Sequence, residues 1–115
     1  MAFIFAASSV PGSQIPGNIW DKLAHLIVYA VLGVFFTIPL SGGRWRGVRV
    51  HTIAGAAALS LLYGISDEVH QHFTPGRTPD VMDVVADTLG AAAGATVVFL
   101  AATIVTRVRS GSAAR

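Results

Sequence analysis

The sequence contains no cysteine in its 115 residues, which excludes disulfides, thiolate catalysis and cysteine-ligated zinc or iron–sulfur centres. Charged residues are also scarce, at 12%, whereas an average soluble domain has about 25%. Apolar residues make up 53% of the chain, and its mean hydropathy is +0.64. A soluble fold would therefore have too little polar surface. The basic residues form no dense patch interleaved with aromatic residues, so we expect no nucleic-acid partner.

Three segments are apolar enough to predict membrane spans, since a helix that crosses a bilayer needs about 20 mostly apolar residues. They cover about residues 22–41, 50–72 and 79–106. Pro75-Gly76 ends the second segment, and Thr78-Pro79 is typical of the start of the third. The sequence thus predicts an all-α, polytopic transmembrane bundle with three full spans. We expect a single domain over residues 1–115, with a core at about 8–106 and a flexible cytoplasmic tail over 107–115.

A short apolar segment, residues 1–10, precedes the first predicted span. It is too short to cross a bilayer alone, and it lacks the charged region of a secretory signal. It could be the end of a shortened helix, and a start site placed too late would explain it equally well. Both interpretations stay open.

The two signs of charge lie at opposite ends of the predicted spans. Six arginines flank one set of ends: Arg44, Arg46, Arg49, Arg107, Arg109 and Arg115. The positive-inside rule places loop 42–49 and the C-terminus in the cytoplasm. All six acidic residues lie toward the other ends: Asp21, Asp67, Glu68, Asp80, Asp83 and Asp87. We therefore expect a multi-pass protein of the cell membrane, with an extracytoplasmic polar hairpin between the second and third spans.

Polar side chains form a stripe along one face of each predicted span. The stripes are Asp21, His25 and Tyr29, then Tyr63, Asp67 and Gln71, and then Asp80, Asp83 and Asp87. Residues three or four apart share a helix face. A charge that faces lipid costs about 2.5–3.5 kcal/mol at the centre of a span, so the stripes should face one another. The third stripe continues into Gly90 and Gly94, a small-xxx-small pattern that predicts close helix packing.

These residues resemble the VanZ-like family of small bacterial membrane proteins. The matching motifs are Asp21-Lys22 with His25 and Tyr29, Asp67-Glu68 with His70-Gln71, Pro75-Gly76-Arg77, and Asp80, Asp83 and Gly90. The resemblance covers most of residues 8–100, including the stretch SSVPG. It implies a role at the cell envelope, because the founding member is linked to low-level resistance to the glycopeptide teicoplanin. The molecular mechanism of the family is not established, so the resemblance implies no reaction.

Two features depart from the family pattern. The family usually has an asparagine at the position of Asp87, within a D-x-x-x-N-x-x-G pattern. This chain therefore adds a negative charge to an acidic region. The family also usually has a full N-terminal helix before the SSxPG stretch, which is cut short here.

One interpretation of the stripes is a binding or catalytic site that opens to the outer face. Its candidate binding residues are Asp21, Lys22, His25, Tyr29, Asp67, Glu68, His70, Gln71, Arg77, Asp80, Asp83 and Asp87. The candidates for acid–base catalysis on a polar head group or glycan are Glu68, Asp83 and His25. The candidate ligands of a divalent metal ion are His25, Glu68, His70 and Asp83. Metal and metal-free versions both stay open, and no organic cofactor is expected.

A second interpretation is structural, with Lys22 and Arg77 neutralising carboxylates that link the helices. Arg77 could instead hold a phosphate or carboxylate group. Transport is disfavoured, because the cytoplasmic halves of the spans contain no ionisable residue. The expected partners are the lipid bilayer and, at the outer face, a cell-wall precursor, a lipid head group or a glycopeptide. Whether the protein is an enzyme, and whether it forms oligomers, stays open.

Overall fold

The computed structural model describes residue 9 and residues 18–113, apart from the side chains of Asn18 and Asp21. Within this part of the chain the fold is all-helical, without strands, as predicted. Helix α1 spans Asn18–Leu40, α2 spans Val50–Gln71 and α3 spans Val81–Ala113, with a short 3-10 turn at Trp45–Gly47. Helix α3 makes its most extensive contacts with α1 and fewer with α2. The N-terminal apolar segment predicted over residues 1–10 lies outside the described residues, except for Ser9.

The turns between the helices begin where the sequence places small residues. After α1, Gly42 and Gly43 adopt positive φ angles of 64° and 68°, which other residues rarely adopt. Helix α3 starts two residues later than the predicted Pro79. The carboxylate of Asp80 accepts a hydrogen bond from the backbone N–H of Met82 at 2.8 Å, so Asp80 caps this helix in place of the predicted Thr78.

Two helical segments are long and apolar enough to cross a membrane: Lys22–Leu40 and Val81–Ala113. The prediction of three full spans is therefore supported for two of them. Residues 50–72 form α2 at nearly the predicted bounds, but small and polar residues such as Ser60, Gly64 and Asp67 dilute the apolar character of this helix.

Helix α3 is longer than the sequence predicted. It continues to Ala113, past the expected end at residue 106, and so includes most of the segment predicted to be a flexible tail. Residues Arg107, Val108 and Arg109 have no helix-breaking tendency, and no proline follows them. At 1.5 Å per residue, α3 is about 50 Å long, whereas the hydrocarbon core of a bilayer is about 30 Å thick.

Helices α1 and α3 pack backbone against backbone. At three glycines, an added Cβ atom would overlap a main-chain carbonyl oxygen of the other helix: Gly33 with Ala91, Gly90 with Leu26, and Gly94 with Ala30. The close packing predicted from Gly90 and Gly94 is confirmed, and Gly33 is the complementary position on α1. Small residues allow such an approach because the backbones themselves come into contact.

The bundle is polar inside and apolar outside. Large apolar side chains such as Phe35, Leu62 and Ile104 are exposed, whereas Ser60 and Asp87 are completely buried. This distribution reverses that of a soluble protein. It is the one expected in lipid, where apolar side chains face the acyl chains and polar groups pair within the bundle.

Candidate functional site

Most of the predicted site residues meet between the three helices. We call this group the polar cluster: Lys22, His25, Tyr29, Asp67, Glu68, Gln71, Asp80, Asp83 and Asp87. Six of its residues are buried, namely Tyr29, Asp67, Glu68, Gln71, Asp83 and Asp87. The stripes on α2 and α3 thus face inward and meet α1, as their spacing predicts. The side chain of Asp21 lies outside the described residues.

The deepest pair in the polar cluster joins α1 to α3. Nδ1 of His25 lies 2.8 Å from Oδ1 of Asp87, whose side chain is fully buried. The imidazole ring is stacked on Tyr29, with ring centroids 6.2 Å apart and planes 7° from parallel. A carboxylate at Nδ1 orients a histidine ring and leaves Nε2 as the basic nitrogen when Nδ1 is protonated. This is the arrangement that acid–base catalysts use.

The carboxylate of Asp87 packs against Gly64 of α2, which has no side chain. A Cβ atom at Gly64 would lie 2.8 Å from Oδ2 of Asp87. Gly64 therefore forms the wall against which the carboxylate rests. The sequence pattern that reveals this position is Ser60, Gly64, Asp67 and Gln71, all on one face of α2. Ser60 and Gly64 are absent from the predicted site because neither residue type signals chemistry by itself.

Lys22 connects the start of α1 to the start of α3. Its Nζ donates to Oδ2 of Asp80 at 2.5 Å and to Oδ1 of Asp83 at 3.0 Å. The bond from Lys22, followed by the N–H of Met82, holds the pKa of Asp80 below its usual value. Lys22 therefore neutralises carboxylates, as the structural interpretation requires, and it leaves Asp67, Glu68 and Asp87 without a lysine partner.

Glu68 ties the end of α2 to the beginning of α3. Its Oε2 accepts a hydrogen bond from the backbone N–H of Asp80 at 2.7 Å, whereas its buried Oε1 has no partner. One turn away, Nε2 of Gln71 donates to Oδ2 of Asp67 at 3.0 Å. The bond to Glu68 closes the hairpin between the two helices, whereas the bond between Gln71 and Asp67 lies within α2.

Two further candidates, His70 and Arg77, make contacts with other parts of the chain. The Nε2 atom of His70 lies 2.9 Å from Oγ of Ser9, in the SSVPG stretch. Arg77 belongs to the loop between α2 and α3, where its backbone N–H donates to the carbonyl of Thr74 at 3.1 Å. Ser9 was not a predicted site residue, because a serine in a short apolar segment has no distinguishing pattern.

The four candidate metal ligands do not converge. Among the described residues, no group of three or more His, Asp or Glu side chains is placed to hold a metal ion. Each candidate instead has a partner within the protein: His25 with Asp87, Glu68 with the N–H of Asp80, His70 with Ser9, and Asp83 with Lys22.

Several oxygen atoms at the inner end of the polar cluster are buried and have no hydrogen-bond partner. They are Oη of Tyr29, Oγ of Ser60, Oδ1 of Asp67 and Oδ2 of Asp87. Tyr29 interacts electrostatically with both Asp67 and Asp87. Buried polar atoms are normally satisfied by protein, water or an ion, so the oxygens of Tyr29, Asp67 and Asp87 mark a place that a ligand can complete.

An apolar cleft of about 640 Å³ opens between α2 and α3 beside Glu68. Its other lining residues are Ile65, Val69, His72, Phe73, Pro79, Val81 and Val84. The carboxylate of Glu68 thus lies between an apolar surface and the polar cluster. Such a boundary suits an amphipathic molecule with one apolar and one polar end.

Comparison with known proteins gives one result that agrees with these features. Neither the curated proteins nor the solved structures contain a match to this chain. The model of the family described as VanZ/LLP1 matches residues 1–102, which is most of the sequence. The buried polar cluster lies within that range, as do α1 and α2. The chain is therefore a membrane protein of the VanZ type and belongs to the VanZ/LLP1 family.

Proposed function

We propose that this protein acts at the cell envelope, where its polar cluster opens to the outer face of the membrane and binds a glycan or a polar lipid head group. Glycopeptide tolerance is the cellular effect that the family name suggests. The observation that supports the proposal best is the meeting of His25, Glu68 and Asp87 from three helices inside one small bundle. Membrane proteins seldom bury ionisable groups without a functional role.

The proposed topology has three spans, with α2 as the one that lacks a continuous apolar surface. Its polar residues face α1 and α3, whereas residues such as Leu62 and Ile65 are exposed on the outside. A helix in a bundle needs only a lipid-facing apolar side, so α2 can span without the hydropathy of an isolated helix. Arg46 and Arg109 then lie on the cytoplasmic side by the positive-inside rule.

The chemistry of the polar cluster favours a ligand that donates hydrogen bonds. The buried Oε1 of Glu68, beside the apolar cleft, lacks a partner, and a carboxylate accepts hydrogen bonds from hydroxyl and amine groups. Lys22 is already paired with Asp80 and cannot readily offer its charge to an anion. These contacts favour a glycan or an amine-bearing head group over a bare phosphate.

The apolar cleft supports a lipid as the carrier of that head group. It lies on the outside of the hairpin, so an acyl or prenyl chain can enter it from the bilayer while the head group reaches Glu68. His25, oriented by Asp87, would be the acid–base group of the site if the bound molecule reacts.

A structural role is the second candidate, and the contacts of Lys22 and Glu68 favour it. Both side chains link one helix to another, Lys22 through Asp83 and Glu68 through the N–H of Asp80. A protein whose polar cluster only holds the helices together would need these bonds and no ligand.

One experiment separates the two candidates. Glu68→Gln and Asp83→Asn are compared with wild type for folded yield in detergent and for glycopeptide tolerance in cells. Both substitutions keep the shape of the side chain, and Thr96→Val on the exposed side of α3 is the control. We expect reduced tolerance with normal yield for the two cluster variants. Tolerance that survives both changes, or that falls only as the yield falls, would support the structural role instead.

The topology has its own measurement. A reporter fused after Arg109 should be active in the cytoplasm, and one inserted after Thr74 should be active outside. The reverse pattern would contradict the outward orientation of the polar cluster and, with it, the proposed ligand.

A further inference from the structure

The inner end of the polar cluster contains oxygen atoms that neither the helix contacts nor the proposed head-group site uses. Oη of Tyr29, Oδ1 of Asp67 and Oδ2 of Asp87 are all buried without a hydrogen-bond partner. The three residues are 1%, 3% and 0% exposed. Each comes from the inward face of a different helix, so the atoms surround a common interior region.

The placement of these atoms follows from packing rather than from flexible loops. Asp87 rests against Gly64, where no side chain fills the space on α2, and Asp67 lies one turn along the same face. Tyr29 reaches this region from α1 and interacts electrostatically with both carboxylates. Its ring also packs near Tyr63, with centroids 6.2 Å apart. The hydroxyl is therefore directed toward the carboxylates by its own helix and by its neighbours.

Charge balance favours a positive occupant. Lys22 is engaged by Asp80 and Asp83 at the outer end, so it does not neutralise Asp67 or Asp87. Among the described residues, His25 contacts Asp87 through its other oxygen, Oδ1. Carboxylates buried in a bundle without compensation are costly, and a bound cation removes that cost.

We propose that Asp67, Asp87 and Tyr29 bind a small monovalent cation, with Na⁺ as its physiological form. Carboxylate and hydroxyl oxygens are ligands that hard cations prefer. Two carboxylate oxygens and a hydroxyl suit a single positive charge. Among the described residues, no three His, Asp or Glu side chains are grouped as a divalent metal ion would require.

The test measures thermal stability of the full-length protein in nanodiscs at pH 8. NaCl is titrated against choline chloride at constant ionic strength, because a ligand that binds only the folded state raises Tm with its concentration. We expect a saturable rise with Na⁺ and none with choline. Asp87→Asn should abolish the Na⁺-specific rise, and Tyr29→Phe should weaken the apparent affinity by about tenfold, since it removes one ligand.

Controls distinguish this site from general salt effects and from protons. Thr88→Val changes the residue next to Asp87 and should keep the full response to Na⁺. If Asp87→Asn does not fold, Tyr29→Phe and Asp67→Asn decide the result. Equal responses to NaCl and choline chloride would overturn the proposal, and so would a full Na⁺ response in Tyr29→Phe and Asp67→Asn. A Tm that rises only as pH falls, with no effect of Na⁺ at pH 8, would show that the carboxylates bind protons and not Na⁺, and it would overturn the proposal.

This inference depends on the inner oxygens of the polar cluster and not on the envelope ligand. Loss of glycopeptide tolerance in Glu68→Gln with no Na⁺ effect would leave the proposed function in place and remove the cation site. An Na⁺-dependent rise in Tm, with unchanged tolerance in Glu68→Gln, would support the cation site and contradict the proposed function.

Discussion

Gly94→Ala is expected to destabilise the bundle, although alanine is the better helix former. Gly94 lies in the middle of α3, and an added Cβ atom would overlap the carbonyl oxygen of Ala30 on α1. The overlap is with main-chain atoms, so no side-chain rotation can relieve it, and the two helices must separate.

The expected magnitude is set by two opposing effects. Replacing glycine by alanine inside a helix favours folding by about 1 kcal/mol. Forcing an extra carbon into a closely packed interface costs about 1–3 kcal/mol, and contact with the backbone of Ala30 places Gly94 at the upper end of that range. The net loss should be about 2 kcal/mol. For a domain of this size, such a loss lowers Tm by roughly 5 °C or more.

The measurement is thermal unfolding in a single detergent, with Gly111→Ala as the matched control. Gly111 is on the same helix, and an added Cβ atom there meets nothing within 4 Å. The control should therefore be as stable as wild type or more stable by up to about 1 kcal/mol, because alanine is the better helix former. Equal or greater stability of Gly94→Ala would show that α1 and α3 are not in backbone contact, and the arrangement of the polar cluster would need revision.

Two further predictions concern the polar cluster directly. Because the pKa of Asp80 is lowered in the folded state, its ion pair with Lys22 stabilises the fold fully above the unfolded pKa of about 4 and loses that effect as pH falls through the lower folded value. Lys22→Met should therefore flatten the acid limb of an unfolding titration between pH 2 and 5, and an unchanged limb would contradict the pairing. Gly64→Ala should displace the carboxylate of Asp87, since the new Cβ atom would lie 2.8 Å from Oδ2. The imidazole NMR signals of the partner histidine should shift in Gly64→Ala and stay unchanged in Gly55→Ala, where only a leucine side chain is near.

The sequence predicted the helices well because their limits depend on local chemistry. Proline, glycine and the ends of the apolar segments mark both bounds of α2 and the end of α1 within about a residue. Helix α1 begins at Asn18, four residues before the predicted residue 22. The start of α3 was predicted less well, because Asp80 caps the helix in competition with Thr78. Both residues are good N-caps, and sequence alone does not decide between them.

The site could be predicted only as far as helix faces allow. Spacing indicated that His25 and Asp87 face inward, and the structure places them in contact. Spacing does not indicate which partner each group chooses. Lys22 donates to Asp83, and the backbone N–H of Asp80 donates to Glu68. These pairings depend on the rotation and depth of one helix relative to another. As a result, each of the four candidate metal ligands contacts a different group of the protein.

The interface between α1 and α3 contains both the glycines that allow close packing and the pair of His25 and Asp87. A variant at this interface can therefore change both. Gly90 lies three residues after Asp87 on the same face of α3, and it rests on the carbonyl of Leu26, the residue next to His25. A substitution that separates α1 from α3 therefore also moves the imidazole away from its carboxylate. Loss of activity in a glycine variant would not identify a ligand contact. Conversely, Tyr29→Phe removes one buried hydroxyl and leaves the backbone contact intact, so its effect on binding can be attributed to the polar cluster.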